Sequence, residues 1–186
     1  MSTTRPAINV AVVMRKTRVE GAMSRWQTWC WGLADVIRHD DGFGTAPRML
    51  YKNESEERWL YPGFTVELFR DAAEGYYLNA TSPQPGWFVM WRMEEEPGLS
   101  GECQPLPQVV TLSYHDAGRW LDAQESVEQV AASAEIVEWL SSFVDAHYEP
   151  DPKRRKRPES FRPLTDRFGN PASISTGKKY GGGPGG

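Results

Sequence analysis

Ile8 to Met14 (INVAVVM) is a short, nearly continuous apolar run rich in β-branched residues. It is too short for a helix and predicts a buried strand. Arg25 to Ile37 follows, with Trp29, Trp31, Leu33 and Ile37 alternating with smaller or polar residues, which predicts a second strand with those four on one face. Gly32 within it marks a bulge or a close backbone approach. Asp40 to Pro47 (DDGFGTAP) reads as a loop. Arg48 to Tyr51 and Arg58 to Tyr61 read as two short strands around the polar turn Lys52 to Glu57. The clearest alternation is Phe64, Val66, Leu68 against Thr65, Glu67, Phe69. Asp71 to Gly75 then reads as a hairpin turn and Tyr76 to Thr81 as its returning strand. After the turn Ser82 to Gly86, Trp87, Val89, Trp91 and Met93 share one strand face and Phe88, Met90 and Arg92 the other.

Glu94 to Pro107 has the composition of a long loop, and Val109 to Tyr114 (VVTLSY) reads as the last strand. The period then changes. Ser113 is placed to cap a short helix running through Asp122, with Asp116 in its first turn. Ser133 is placed to cap a second helix, Ala134 to Tyr148. There Ile136, Val137, Leu140, Phe143, Val144 and His147 form one stripe at helical spacing. Short strands joined by short turns, then helices, predict an α+β chain that is mainly β. The expected architecture is a curled antiparallel sheet or small barrel with two C-terminal helices.

Charge changes that picture by dividing the chain. The net charge of −4 over 186 residues hides an asymmetry: residues 149–186 carry 9 Lys and Arg against 4 Asp and Glu. Residues 1–148 carry 12 against 21. The expectation is therefore an acidic globular domain over 1–148 and a basic tail over 149–186, rich in Pro and Gly and without apolar periodicity. A segment of that kind buries too little apolar surface to offset its conformational entropy and is expected to be disordered alone. Within it, Phe161, Leu164 and Phe168 are spaced by three and four, the spacing of anchors for a partner's groove, and Arg155 and Arg157 are suited to pairing with its carboxylates. These five are the candidate partner-binding residues.

Candidate chemistry is sparse. His39, His115 and His147 are far apart and form no zinc-protease pattern. Cys30 and Cys103 make neither a disulfide framework nor a four-ligand zinc site. Cys30 is expected to be buried and inert, and Cys103 lies beside Glu102, which disfavours a thiolate. The chain has no phosphate-binding Gly-rich motif and no nucleophile elbow. No cofactor and no catalytic residue is expected. An enzyme of cofactor metabolism would need Glu67, Tyr77, Asn79 and Arg92 gathered on one sheet face. A nucleic-acid binder working through Lys153 to Arg157 is disfavoured by the acidic body and the lack of adjoining stacking aromatics. No apolar run approaches the roughly 20 residues of a membrane span, and Met1 to Pro6 has no secretory character, so a cytoplasmic protein is expected. Most of the 8 tryptophans are expected in the core. Trp26, Trp29 and Trp31 stand apart, because both faces of one strand are core only if both are covered.

INVAVVMRK and SRWQTWCWGLADV resemble the opening of an uncharacterised bacterial domain family. ELFRDAAEGYYLN, TSPQPGWFVMWRMEE, VTLSYHDAGRWLDA and KRRKRPESFRPLTDRFGNP are similar to its further blocks, so the resemblance covers most of the chain. Genes of that family tend to lie beside those of molybdenum-dependent formate dehydrogenases and their accessory proteins. Genomes often label its members molybdopterin-guanine dinucleotide biosynthesis proteins, a name whose nucleotidyltransferase has a Gly-rich nucleotide loop that this sequence lacks. The resemblance implies a context rather than a mechanism. The expected role is a non-catalytic accessory protein whose partner is a formate dehydrogenase or its maturation factors.

Overall fold

The computed structural model describes residues 5–99 and 101–150. Within these residues seven strands form two antiparallel sheets. The first sheet contains β1 (Ala7–Arg18), β2 (Trp29–Arg38), β3 (Arg48–Lys52) and β4 (Glu56–Glu67), in the order β2-β1-β4-β3. β1 is interior, and both its faces are covered. Val10, Val12 and Met14 point into the main core, while Ala11 and Val13 join Leu60 in a smaller cluster capped by Ala34, Ile37 and Phe43. Double coverage is why INVAVVM is continuously apolar rather than alternating. The two strands expected at Arg58 to Tyr61 and Phe64 to Phe69 are one strand, β4. Gly63, at φ 97°, sits where the β1–β4 register shifts and lets the chain pass Pro62 without ending. In β2 the register slips opposite Val13/Met14. Ile37 therefore lies on the face opposite Trp31 and Leu33, against the expectation of one shared face.

The second sheet contains β5 (Gly86–Met93), β6 (Pro105–Thr111) and β7 (Ser126–Ala131), in the order β6-β5-β7. β6 begins inside the expected loop, at Pro105 and Pro107. Prolines cannot donate to a ladder, and β6 tolerates them because it is an edge strand. The last strand is β7, after the first capped helix, and not Val109 to Tyr114. The two sheets are separate, so the curled-sheet alternative of the expectation holds in broad form and the closed barrel does not. A carboxylate joins them: Glu128 of β7 accepts from the Leu33 amide at the β2 irregularity (2.7 Å) and from Trp91 Nε1 (2.8 Å).

Among the described residues three α-helices, not two, accompany the sheets. Tyr76 to Thr81 is not a strand: α1 (Ala73–Ala80) is a helix preceded by a 3-10 turn, Arg70–Ala72. Ala73, Tyr76 and Asn79 are buried at spacing three, and Gly75 is buried beside them. A Cβ on Gly75 would stand 2.4 Å from Ser113 Oγ, so only glycine allows α1 to approach the next helix so closely. α2 (Tyr114–Asp122) and α3 (Ala134–His147) start where the capping serines predict. Ser113 accepts from the Asp116 amide and Ser133 from the Ile136 amide. Ile136, Leu140, Phe143 and Val144 of α3 are buried in one core with Trp87, Val89 and Val110 of the second sheet, Leu112 just after it, and Val10, Val12 and Met14 of the first.

Candidate functional site

Strand register gathers most of the tryptophans at one end of the domain. Lys16 lies opposite Trp31 and Glu57, Arg18 opposite Trp29, and Met14 opposite Trp59. Trp91, near the end of β5, is tied to β2 through Glu128. Of the whole set only Trp87 is fully buried, at 2% exposure, and Trp26 is 87% exposed.

The floor of this end is a charge cluster on the core face of β1. Lys16 occupies the position after Val10, Val12 and Met14 in the alternation, and its side chain is only 9% exposed. The stem closes the core, and the ammonium meets Glu102 Oε2 at 2.6 Å. It also stands 5.3 Å and 5.8 Å from the ring centres of Trp29 and Trp31, within cation–π range. Beside it the buried Glu57 accepts from Lys52 Nζ (2.9 Å) and Trp59 Nε1 (3.3 Å). The Lys52 hydrogen bond holds the Glu57 carboxyl below its ordinary value, burial opposes this, and Trp59, Lys16 and the Lys52 charge assist. Glu102 belongs to the segment between β5 and β6, so its bond to Lys16 fastens that segment to the first sheet. The base of the same segment is closed by Glu94, whose amide donates to the Gln104 carbonyl and whose carboxylate accepts from the Gln104 amide.

Beyond the cluster the β1–β2 connection forms the tip. A 3-10 turn, Ala22–Arg25, is held by Ser24 and Trp26 amides donating to the Gly21 and Met23 carbonyls (3.1 and 3.0 Å). Ser24 Oγ adds a 2.6 Å bond to the Gly21 carbonyl, and the Val19 amide donates to Thr28. Trp26 and Met23 (63% exposed) thus project from an ordered turn. Sequence alone singled out Trp26, Trp29 and Trp31. It missed Lys16, although a lysine at the fourth place of an apolar alternation was a visible signal.

The other candidates fare differently. Glu67, Tyr77, Asn79 and Arg92 do not share a sheet face: Tyr77 and Asn79 are on α1. Asn79 is 1% exposed, donates to the Gly86 and Leu112 carbonyls (both 2.8 Å) and accepts from the Gly86 amide, which fastens α1 to the second sheet. Arg92 pairs with Glu125 and Glu67 with Arg5. Cys30 is exposed, not buried as expected, because it points from β2 to the face opposite Trp29 and Trp31, outside the main core. His39 stacks edge-on against Phe43, and His147 lies against Phe143. Arg155, Arg157, Phe161, Leu164 and Phe168 lie outside the described residues. Among the described residues no group of three or more His, Cys, Asp or Glu is placed to hold a metal ion, and no helix is long and apolar enough to cross a membrane.

No curated protein and no solved structure matches this chain. Residues 9–157 match the domain family described as "Protein of unknown function (DUF3305)", and the chain belongs to that family.

Proposed function

We propose that this protein is a non-catalytic accessory protein of the cytoplasm, which binds a molybdenum-dependent formate dehydrogenase or one of its maturation factors. The observation that carries the binding role is Trp26, an indole 87% exposed on a hydrogen-bonded turn. Large apolar side chains cost free energy in water, and tryptophan is among the residues most enriched as interface anchors. The choice of partner is supported by the sequence resemblance to a family encoded beside such enzymes. Arg155, Arg157, Phe161, Leu164 and Phe168 supply a second contact in this reading.

Deleting the gene in its host tests the partner. The expected result is a loss of formate dehydrogenase activity, with or without a fall in molybdenum content of the enzyme. Unchanged activity together with unchanged molybdenum content overturns the reading.

A further inference from the structure

Half of the ten arginines among the described residues meet a carboxylate, and the two that bracket the β1–β2 tip do not. Arg5, Arg38, Arg58, Arg92 and Arg119 each meet a carboxylate. Among the described residues, Arg15, Arg18 and Arg25 meet none and are exposed. Arg70 and Arg48 are the others without one, and Arg48 lies over the Phe43 ring. Arg18 and Arg25 bracket the connection that carries Trp26, and Glu20 is its one carboxylate, so this tip has a local excess of positive charge within residues 1–148, where 21 acidic residues outnumber 12 basic ones. We propose that the β1–β2 hairpin tip is a docking surface for an acidic protein segment, with Trp26 and Met23 entering an apolar pocket and Arg18 and Arg25 pairing with the carboxylates around it. The proposal rests on the binding role assigned above and adds the chemistry of the partner's surface.

Two features favour protein over nucleic acid. The domain's excess of acidic residues repels a polyphosphate, whereas a protein presents its carboxylates locally. Single strands also need successive stacking platforms, and Trp29 and Trp31 are half-buried against Lys16 rather than open beside Trp26. An exposed indole with flanking guanidiniums is the composition of an interface centre and its rim. The aromatic supplies affinity, and the bidentate Arg–carboxylate pairs supply orientation.

The test places a photoreactive benzophenone amino acid at Gln27, beside the anchor, in the full-length chain expressed in its host. Irradiation is followed by mass-spectrometric mapping of the attached peptide. The expected adduct is one protein segment containing Asp or Glu next to apolar residues. Its yield should fall roughly tenfold or more with Trp26→Ala, and likewise with Arg18→Glu combined with Arg25→Glu. The milder Arg18→Gln with Arg25→Gln should fall between, with the melting temperature unmoved in all three. No light-dependent adduct, adducts on nucleic acid, a segment without acidic residues, or a yield insensitive to the arginine changes would each overturn the proposal. If the mapped protein is neither a formate dehydrogenase nor a maturation factor, the docking surface stands and the partner proposed above falls. If gene deletion abolishes formate dehydrogenase activity and no adduct forms, the reverse holds.

Discussion

Glu57 shows how a single titrating group couples this end of the domain to stability. Its carboxyl is held below the ordinary range, first by the Lys52 hydrogen bond, against the opposing effect of burial. A group with a depressed folded-state pKa contributes stability fully above its unfolded value, near 4.3 for glutamate. That contribution is lost as pH falls through the lower folded value. Glu57→Gln is therefore expected to lower the melting temperature at neutral pH and to flatten the decline of stability below about pH 4. Thermal melts of both proteins from pH 7 to pH 3 check this, and parallel curves would mean that the Lys52 contact is lost to solvent. At this scale the sequence was only partly legible. The pattern places Glu57 in a turn, because its burial depends on pairing with Lys16 of β1, 41 positions away. Lys16 in turn needs Glu102, 86 positions away, to compensate its charge. Neither contact leaves a local trace beyond a charged residue at an apolar place in the pattern.

Elements were legible where a local device marks them. Ser113 and Ser133 cap helices that start as expected, and in α3 the four buried residues all belong to the predicted stripe. α1 carried no comparable mark. It has eight residues, no capping side chain, a glycine in its interior and two adjacent tyrosines, which favour strands. Tertiary contacts override those propensities: Tyr76 packs edge-on against Phe143 of α3, and Asn79 satisfies both backbone groups of Gly86 in β5 and the Leu112 carbonyl just after β6. α3 is thus the element on which both α1 and the sheets lean. Leu140, 1% exposed at its centre, is the residue to remove. Leu140→Ala is expected to cost about 2–5 kcal/mol, as truncation of a fully enclosed leucine does. Trp139→Ala, one position away and only partly buried, should cost less than Leu140→Ala despite its larger side chain. Chemical denaturation of the two variants decides it, and an unmoved midpoint for Leu140→Ala would take α3 out of the core.

For the whole molecule, the mainly β composition and the antiparallel pairing followed from the pattern, and the split into two sheets did not. Which edge of one sheet faces the other is set by contacts such as Glu128 with Leu33, 95 positions apart, and by no feature of either strand alone. The charge division was legible from counting. In the role proposed above, it gives one chain two binding elements of different chemistry: an aromatic tip with unpaired arginines in the acidic part, and the basic segment after residue 148. Residues 7–148 supply every strand and helix and the entire core described. A chain ending at Pro150 is therefore expected to unfold cooperatively with a melting temperature close to that of the full chain. Loss of that transition would make the removed residues part of the fold. The same truncation should weaken binding to purified formate dehydrogenase, and the manner of weakening separates recognition from charge attraction. A polyelectrolyte contact depends on the number of charges and fades with salt. A recognition contact depends on Phe161, Leu164 and Phe168 being presented together. Replacing those three with Ala is expected to weaken binding more than Lys153→Gln with Lys156→Gln does, at low and at moderate salt alike. Isothermal titration at two salt concentrations reads both. If the charge changes abolish binding and the triple Ala variant binds as the parent does, the basic segment acts through charge alone, and the hairpin tip is left as the sole element of recognition.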